Sequence, residues 1–278
     1  MMRAKIQLLK HRINQTLSQV FSGSQPLTWF GPGTLTLTGA NTHTGTTTVN
    51  GGTLALAGPN INGPLVVNAN GTIRWDVNDA VADTTVTVNG GTLNLTSKND
   101  YINTLSLNNG AQVQGAQSAN QFIIVNGSAG AKILGTGGGN AGTISSRIAI
   151  TSVYGVATGA RTQEFDVASA TTLTVSGPIV DAAAGGFSGS LLKSNSGTLT
   201  LTGVNTYTGT TTVSAGTLTI SNASGLGTGA GTVNGTLTYT VDTTGTRTVT
   251  VNSGGVINKG GFAHASTTFV NNGGTINA

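Results

Sequence analysis

Residues 33–52 read GTLTLTGANTHTGTTTVNGG, and residues 197–216 read GTLTLTGVNTYTGTTTVSAG. They belong to a longer ungapped match between residues 33–58 and 197–222, in which 18 of 26 positions are identical. In each half of the chain a Gly-Thr-Leu triplet, or a close variant, recurs in steps of 19 or 20 residues, beginning at positions 33, 52, 71 and 91 and again at positions 197, 216, 235, 255 and 274. A constant step of this size is typical of a solenoid built from stacked repeats.

Each repeat unit contains two short strands joined by a corner. The first strand alternates apolar and polar residues, as in Thr46–Val49, and leads into a corner rich in Asn and Gly, as in residues 50–52. Asn and Gly tolerate the positive φ that a sharp corner requires. In the second strand, as in Thr53–Leu56, successive side chains point to opposite faces, so we expect leucines to point inward and polar residues outward.

The constant step places equivalent apolar residues above one another in successive coils. We expect one inward column made of Leu35, Leu54, Ile73, Leu93, Val113 and Ile133, continued in the second half by Leu199, Leu218, Leu237, Ile257 and Ile276. A single coil cannot bury its own apolar face, so the stacking creates the core. The sequence therefore predicts an all-β fold, a single-stranded parallel β-helix (β-solenoid) with 19–20-residue coils. About twelve or thirteen coils would form a rod roughly 60 Å long, with corner asparagines hydrogen-bonded along the stack.

The composition agrees with an all-β chain and excludes other classes. Of 278 residues, 43 are Gly and 7% are charged, whereas disordered chains need a high net charge and Gly and Thr form helices poorly. There is no cysteine, which excludes disulfides and Cys-based metal sites. The net charge of +4 arises from Arg3, Lys5, Lys10 and Arg12, since the remaining residues include eight basic and eight acidic side chains. A neutral body argues against nucleic acid as a partner, and no cofactor is expected.

The N-terminal segment, residues 1–31, differs from the β-helix predicted for residues 32–278. Its apolar residues recur at spacings of three and four, which predicts a short basic amphipathic helix over residues 3–21. The apolar stripe consists of Ile6, Leu9, Ile13, Leu17 and Val20. The helix would either cap the first coil or dock onto a partner or anchoring surface. The segment contains no apolar core of the length that a secretory signal requires.

Residues 126–170 fit the period poorly. They include a Gly-rich stretch, and residues 153–167 contain aromatic and charged side chains. Apolar alternation resumes at Leu173 and Val175. We therefore expect coils with altered corners or an outward loop in this irregular section, rather than a linker between domains.

The repeat also resembles one that is found in a known family. The stretches GTLTLTGANTHTGTTTVNGGTLAL (33–56) and GTLTLTGVNTYTGTTTVSAGTLTI (197–220) resemble the autotransporter-associated β-strand repeat, also called the passenger-associated transport repeat. Residues 173–201 resemble the usual lead-in to that repeat. The resemblance implies a right-handed parallel β-helix passenger of a bacterial surface protein. Such passengers often serve adhesion or aggregation, and the repeat is associated with their secretion and folding.

Two departures from the family pattern leave alternatives open. Family members normally begin with a signal peptide and end in an outer-membrane β-barrel, whereas this sequence ends within a coil at Ala278. The chain would then be either a fragment of a larger passenger or a stand-alone solenoid. A virion fibre or decoration protein of a phage, docked through the predicted N-terminal helix, needs no signal peptide.

The densest group of charged residues is the stretch Arg74–Asp83. Calcium prefers six to eight oxygen ligands with several carboxylates, so Asp76, Asp79 and Asp83 are candidates for at most a partial metal site. A solvated loop is the favoured interpretation, and Trp75 is a candidate for contact with a glycan or a partner. Glu164 and Asp166 would form a catalytic pair only if the chain bent suitably there. No catalytic residue is assigned.

We therefore expect a non-enzymatic structural or adhesive rod that is extracellular or displayed at the bacterial cell surface. A virion protein is the first alternative, and a carbohydrate-active β-helix enzyme centred on Arg74–Asp83 is the second. The last coil would expose unpaired backbone groups. We therefore expect it to be covered by self-association or by another protein, which light scattering would test.

Overall fold

The computed structural model describes residues 14–58, 61–81, 83–96, 98–115, 123–125, 131–150, 160–181 and 187–278. In these ranges every regular element is a β-strand. The described residues include no helix long and apolar enough to span a bilayer.

Twenty-nine strands, numbered β1 to β29 in chain order, lie in the described ranges and form three parallel sheets. Sheet A has thirteen strands: β1 (Gln15–Leu17), β3 (Thr34–Leu37), β5 (Gly52–Leu56), β7 (Gly71–Trp75), β9 (Thr92–Asn94), β12 (Ala111–Gln114), β15 (Gly139–Ile144), β18 (Thr171–Val175), β21 (Thr198–Leu201), β23 (Thr217–Ile220), β25 (Thr236–Tyr239), β27 (Val256–Asn258) and β29 (Thr275–Asn277). Sheet B has twelve strands: β2 (Leu27–Trp29), β4 (Thr47–Val49), β6 (Leu65–Asn68), β8 (Thr85–Asn89), β11 (Thr104–Asn108), β14 (Lys132–Gly135), β17 (Arg161–Val167), β20 (Gly189–Ser194), β22 (Thr211–Val213), β24 (Gly231–Val233), β26 (Arg247–Asn252) and β28 (Thr267–Asn272). Sheet C has four strands: β10 (Asp100–Ile102), β13 (Ile123–Val125), β16 (Ile148–Ala149) and β19 (Ile179–Val180).

The chain visits sheets A and B once in each turn, and neighbouring strands in each sheet belong to successive turns. Thr34 pairs with Thr53, and Thr53 pairs with Thr72, so equivalent residues of the repeat lie directly above one another. The predicted parallel β-helix is therefore confirmed, and the twelve described strands of sheet A that lie within residues 33–278 agree with the predicted number of coils. The right-handed sense implied by the resemblance stays a prediction.

The inward columns differ from the prediction in the middle of the rod. Leu35, Leu54, Ile73, Leu93 and Val113 do form one buried column of sheet A. The next residue in that column is Ile144, followed by Val175 and Leu201. The assignment of Ile133 was wrong, because this residue lies in sheet B and pairs with Leu105 and Phe165.

The inward column of the first half therefore continues two residues later in the second half than the repeat predicts. Leu199 pairs with Leu173 and not with a residue of the Leu35 column, which reaches Leu201 instead. The offset arises in longer middle coils, where successive column residues from Val113 onward are 31, 31 and 26 positions apart. The strands of sheet C lie in this part of the rod and give its coils a third side. A shift of two residues keeps every side chain on its own face, since side chains in a strand alternate with period two.

Asparagines at the corners form the predicted ladder along the stack. Asn68 donates to Asn50 at 2.6 Å, Asn89 donates to Asn68 at 3.2 Å, and Asn109 donates to Asn89 at 2.5 Å, all between side-chain Nδ2 and Oδ1 atoms. A second ladder joins Asn234, Asn252 and Asn272. Each rung connects adjacent coils, so these ladders add side-chain hydrogen bonds to those of the backbone.

The predicted helix over residues 3–21 is wrong over the residues of it that the structure describes. Gln15–Leu17 is strand β1, which pairs with β3, and the backbone N–H of Thr38 donates to the carbonyl of Leu17 at 2.9 Å. The side chain of Leu17 packs against the core. Pairing with the next coil thus determines the conformation here, and both β1 and β2 precede residue 32. The other proposed contact residues, Ile6, Leu9 and Ile13, lie outside the described residues.

Candidate functional site

The charged stretch predicted as a solvated loop begins inside sheet A. Arg74 points outward from β7 and holds both carboxylate oxygens of Asp76, with Nε–Oδ1 and Nη2–Oδ2 distances of 2.7 Å. The hydrogen bond to Asp76 raises the pKa of the Arg74 guanidinium. Among the described residues, no group of three or more acidic or His side chains is placed to hold a metal ion. Asp76, Asp79 and Asp83 are therefore not brought together as cation ligands.

Trp75 is part of the core. Its side chain is 0% exposed and stacks on Leu56 of the preceding coil. The prediction that Trp75 contacts a glycan or a partner was therefore wrong. The alternation of β7 explains the outcome, because Ile73 and Trp75 share the inward face while Arg74 points outward.

A buried carboxyl group lies close to this stretch, and sequence reasoning missed it. Asp100 in sheet C is 0% exposed and accepts hydrogen bonds from the backbone N–H groups of Val81 (3.1 Å) and Tyr101 (2.8 Å). Burial raises the pKa of Asp100 well above its usual value. The two backbone donors give this side chain a structural role, since they join it to the preceding coil and to its own strand.

The acidic residues of β17 are bound by side chains of adjacent coils. Lys132 Nζ lies 2.6 Å from Asp166 Oδ2, and Asn195 Nδ2 donates to Asp166 Oδ1 at 3.1 Å. The Ser194 hydroxyl donates to Glu164 Oε1 at 2.5 Å. Glu164 and Asp166 therefore bridge neighbouring coils on the outer face of sheet B, and each carboxylate is bound by a side chain of an adjacent coil.

Lys193 is a buried cation in the second repeat copy. Its side chain is 0% exposed, and its Nζ donates to the carbonyls of Ser194 (2.7 Å), Asn195 (2.7 Å) and Ala215 (3.2 Å). Burial lowers the pKa of this amine to about 8. The three carbonyls lie at a corner, so Lys193 satisfies backbone acceptors there. No sequence signal distinguished it from an exposed lysine.

The polar residues shared by the two repeat copies are also structural. His43 Nε2 lies 2.8 Å from the Thr47 hydroxyl, and at the matching positions the Tyr207 hydroxyl lies 2.6 Å from the Thr211 hydroxyl. All four side chains are buried. Burial lowers the pKa of His43 and raises that of Tyr207 to about 12, so both rings are neutral near pH 7.

A buried asparagine joins adjacent coils in each copy. Asn205 accepts from the Ile179 N–H of the preceding coil at 2.8 Å and donates to the Gly225 carbonyl of the next coil at 2.6 Å. Asn41 accepts in the same way from the Phe21 N–H at 3.0 Å. The repeat's shared residues thus secure the stack, and the outward-facing side chains are the ones available to partners.

These observations define the chain as a parallel β-helix repeat protein whose accessible chemistry lies on the outer faces of its sheets. The model of the passenger-associated-transport-repeat family matches residues 27–56 and 191–220. The chain therefore contains two copies of this repeat, and the resemblance noted in the sequence is confirmed.

One curated relative is an autotransporter adhesin, BmaC of Brucella suis biovar 1 (strain 1330). The two sequences are 44% identical over 70 residues, which make up 24% of this chain and 2% of the adhesin. The similarity is thus confined to a small part of the adhesin's length. No solved structure matches the chain.

Proposed function

We propose that the chain is part of a non-enzymatic, adhesive β-helix rod displayed on the outside of a bacterial cell. The observation that carries the proposal is the presence of two passenger repeats within continuous stacks of parallel strands. The local identity to an autotransporter adhesin supports the adhesive role. Neither the repeat matches nor the adhesin relative favours a virion fibre or a polysaccharide-acting enzyme.

The contacts that stabilise the stack leave much of the outer surface of the rod accessible for binding. The inward columns, the corner asparagines and the backbone bonds between coils hold each turn to its neighbours. Some outward residues, such as Asn68 and Glu164, bind the adjacent coil. The other outward side chains of both long sheets are accessible to a partner. Many weak contacts along such a face add up through multivalency, so adhesion needs no single deep pocket.

The charged groups support a non-enzymatic role. Asp76 is held by Arg74, Asp166 is held by Lys132, and Asp181 accepts from the N–H groups of Gly189 (2.6 Å) and Thr208 (2.9 Å). A general acid or base must be free to exchange a proton with a substrate. Carboxylates occupied in this way are suited to holding coils together.

Display and binding can be tested together. The full chain is fused between a cleavable secretory signal and an outer-membrane barrel, in a bacterium that lacks its own adhesins. We expect the displayed rod to resist protease and to increase the binding of cells to host-cell monolayers and immobilised glycans, relative to cells that display the barrel alone.

The variant Gly209→Ala, which weakens the stacking of the coils, serves as the control for rod stability and is expected to resist protease less well than the wild type. A protease-resistant rod that binds no better than the barrel alone would contradict the proposal. Docking through the N-terminal segment and covering of the last coil by another chain stay predictions.

A further inference from the structure

The outer face of sheet A contains a regular block of threonines in the second half of the rod. Strands β18, β21, β23 and β25 each contribute two outward threonines, separated by one buried leucine. We call these eight residues the threonine array: Thr172, Thr174, Thr198, Thr200, Thr217, Thr219, Thr236 and Thr238. The pairing runs in register through all four strands without a bulge, so the array is a rectangular lattice of two columns.

The spacings of the lattice follow from the geometry of a parallel sheet. Threonines of one column are about 4.8 Å apart, the distance between neighbouring strands, and threonines of one strand are about 6.6 Å apart. The first distance is close to the shorter repeat of water oxygens on a prism surface of ordinary ice, and the second is somewhat shorter than the longer repeat. The array therefore offers anchoring positions to an ordered layer of water in two directions at once.

The side chains themselves suit such a layer. A β-branched side chain has few rotamers, so the array is fixed before anything binds to it. Each threonine has a hydroxyl that hydrogen-bonds to water and a methyl group around which water molecules form an ordered shell. Within the described part of the chain, seven of the eight hydroxyls make no internal hydrogen bond, and that of Thr238 accepts from Asn258 Nδ2 at 3.3 Å.

The array is also uncharged. No ionisable side chain points outward from the four strands, since their sequences are TTLTV, TLTL, TLTI and TLTY and the tyrosine is buried. Ice excludes ions from its lattice, so a neutral face complements an ice surface. In the first half of the rod, Thr53, Thr72 and Thr92 have no second outward threonine on their strands, because Ala55, Arg74 and Asn94 occupy the next outward positions.

From these properties we propose that the threonine array is an ice-binding face. Its hydroxyls anchor water molecules at lattice positions, and its methyl groups hold the remaining water of the layer in order. The ligand is crystalline water, and the proposal does not depend on the adhesive function. Sheet B is less suitable, because its outward threonine column contains only Thr212, Thr232 and Thr250 before it is limited by Leu192 on one side and Val270 on the other.

The test is the partition of the purified full chain between slowly growing ice and the remaining liquid. We expect the wild type to be enriched in the ice and to change the shape of single ice crystals. The substitution Thr219→Tyr, in the interior of the array, is expected to abolish both effects. Two controls are expected to keep them: Thr72→Tyr, in the same column of the first half, and Thr212→Tyr on sheet B. Circular dichroism melts check that all four proteins are folded.

The outcomes separate clearly. Wild-type protein that stays in the liquid overturns the proposal, and so does equal partition of the wild type and the folded Thr219→Tyr variant. Loss of partition in the folded control variants shows that the array is not the binding face. A dimer that forms through the array and is lost in Thr219→Tyr, without partition into ice, assigns the face to a second copy of the chain instead.

Discussion

Replacement of Gly209 by alanine tests how closely the coils are stacked. A Cβ atom at Gly209 would lie 2.4 Å from the carbonyl oxygen of Gly189 and 2.5 Å from the Ser190 hydroxyl, both in the preceding coil. The backbone N–H of Gly209 donates to that same carbonyl at 2.9 Å. The methyl group can therefore be accommodated only if the hydrogen-bonded partner moves away.

The cost of the substitution follows from this contact. Ordinary van der Waals contact begins at 3.4 Å, so the two coils must separate locally by about 1 Å, which breaks the hydrogen bond. Forcing an extra methyl group into a packed site costs about 1–3 kcal/mol, and the lost hydrogen bond adds about 1 kcal/mol. We expect Gly209→Ala to lower the free energy of unfolding by about 3 kcal/mol, a large part of the stability of an ordinary domain.

The assay is guanidinium chloride unfolding followed by far-ultraviolet circular dichroism. Gly51→Ala is the matched control, because a Cβ atom there meets nothing closer than 3.7 Å and its φ is not positive. We expect the control to change stability by less than about 1 kcal/mol. Gly45→Ala, the equivalent substitution in the first copy, should behave like Gly209→Ala, since its Cβ would lie 2.3 Å from the Gln25 carbonyl oxygen. Equal stability of Gly209→Ala and Gly51→Ala would refute the argument.

Two further predictions concern a buried histidine and an asparagine ladder. Burial lowers the pKa of His43 below its usual 6.5, so the unfolded chain takes up the proton first and stability falls as the pH drops below about 6.5. His43→Tyr, which copies Tyr207 of the second repeat, should remove that part of the acid sensitivity in urea unfolding at neutral and acidic pH; an unchanged dependence on pH would contradict it. Asn68→Ala removes ladder bonds of 2.6 and 3.2 Å and should cost about 1–2 kcal/mol. Asn252→Ala, in a more exposed ladder, should cost less, and the reverse order of midpoints would count against the ladder's role.

The coils could be predicted from the sequence because two periods agree. Alternation within each strand assigns Leu54 and Leu56 to the inside, and the step of 19 or 20 residues places each coil on the next. The offset between the halves could not be predicted in the same way. A strand shifted by two residues keeps its inward face, so Leu199 and Leu201 fit the Leu35 column equally well, and only the length of the middle coils decides between them.

The wrong predictions for the N-terminal segment and for Trp75 have a common cause. Helical spacing in the N-terminal segment and clustered charges around Trp75 were interpreted locally, whereas the neighbouring coil determines both. Leu17 is held in a strand by β3, and Trp75 is held inside by the alternation of β7. The buried side chains of Asp100 and Lys193 were missed for a related reason, because the backbone groups that they satisfy come together only when the coils stack.

The two-residue offset also has a consequence for the surface. Because of it, the outward column that begins at Thr34 continues through the irregular section into Thr200 and Thr238, and then into Asn258 and Asn277. From Thr34 to Thr238, Gln112 is the one residue of ten positions that is not threonine. An offset of one residue would have exchanged the inward and outward faces. The middle coils therefore change length and gain a third sheet while the chemistry of the outer face of sheet A is kept. Such continuity is what a rod that functions through an extended face requires, whether the partner is a cell, another rod or ice.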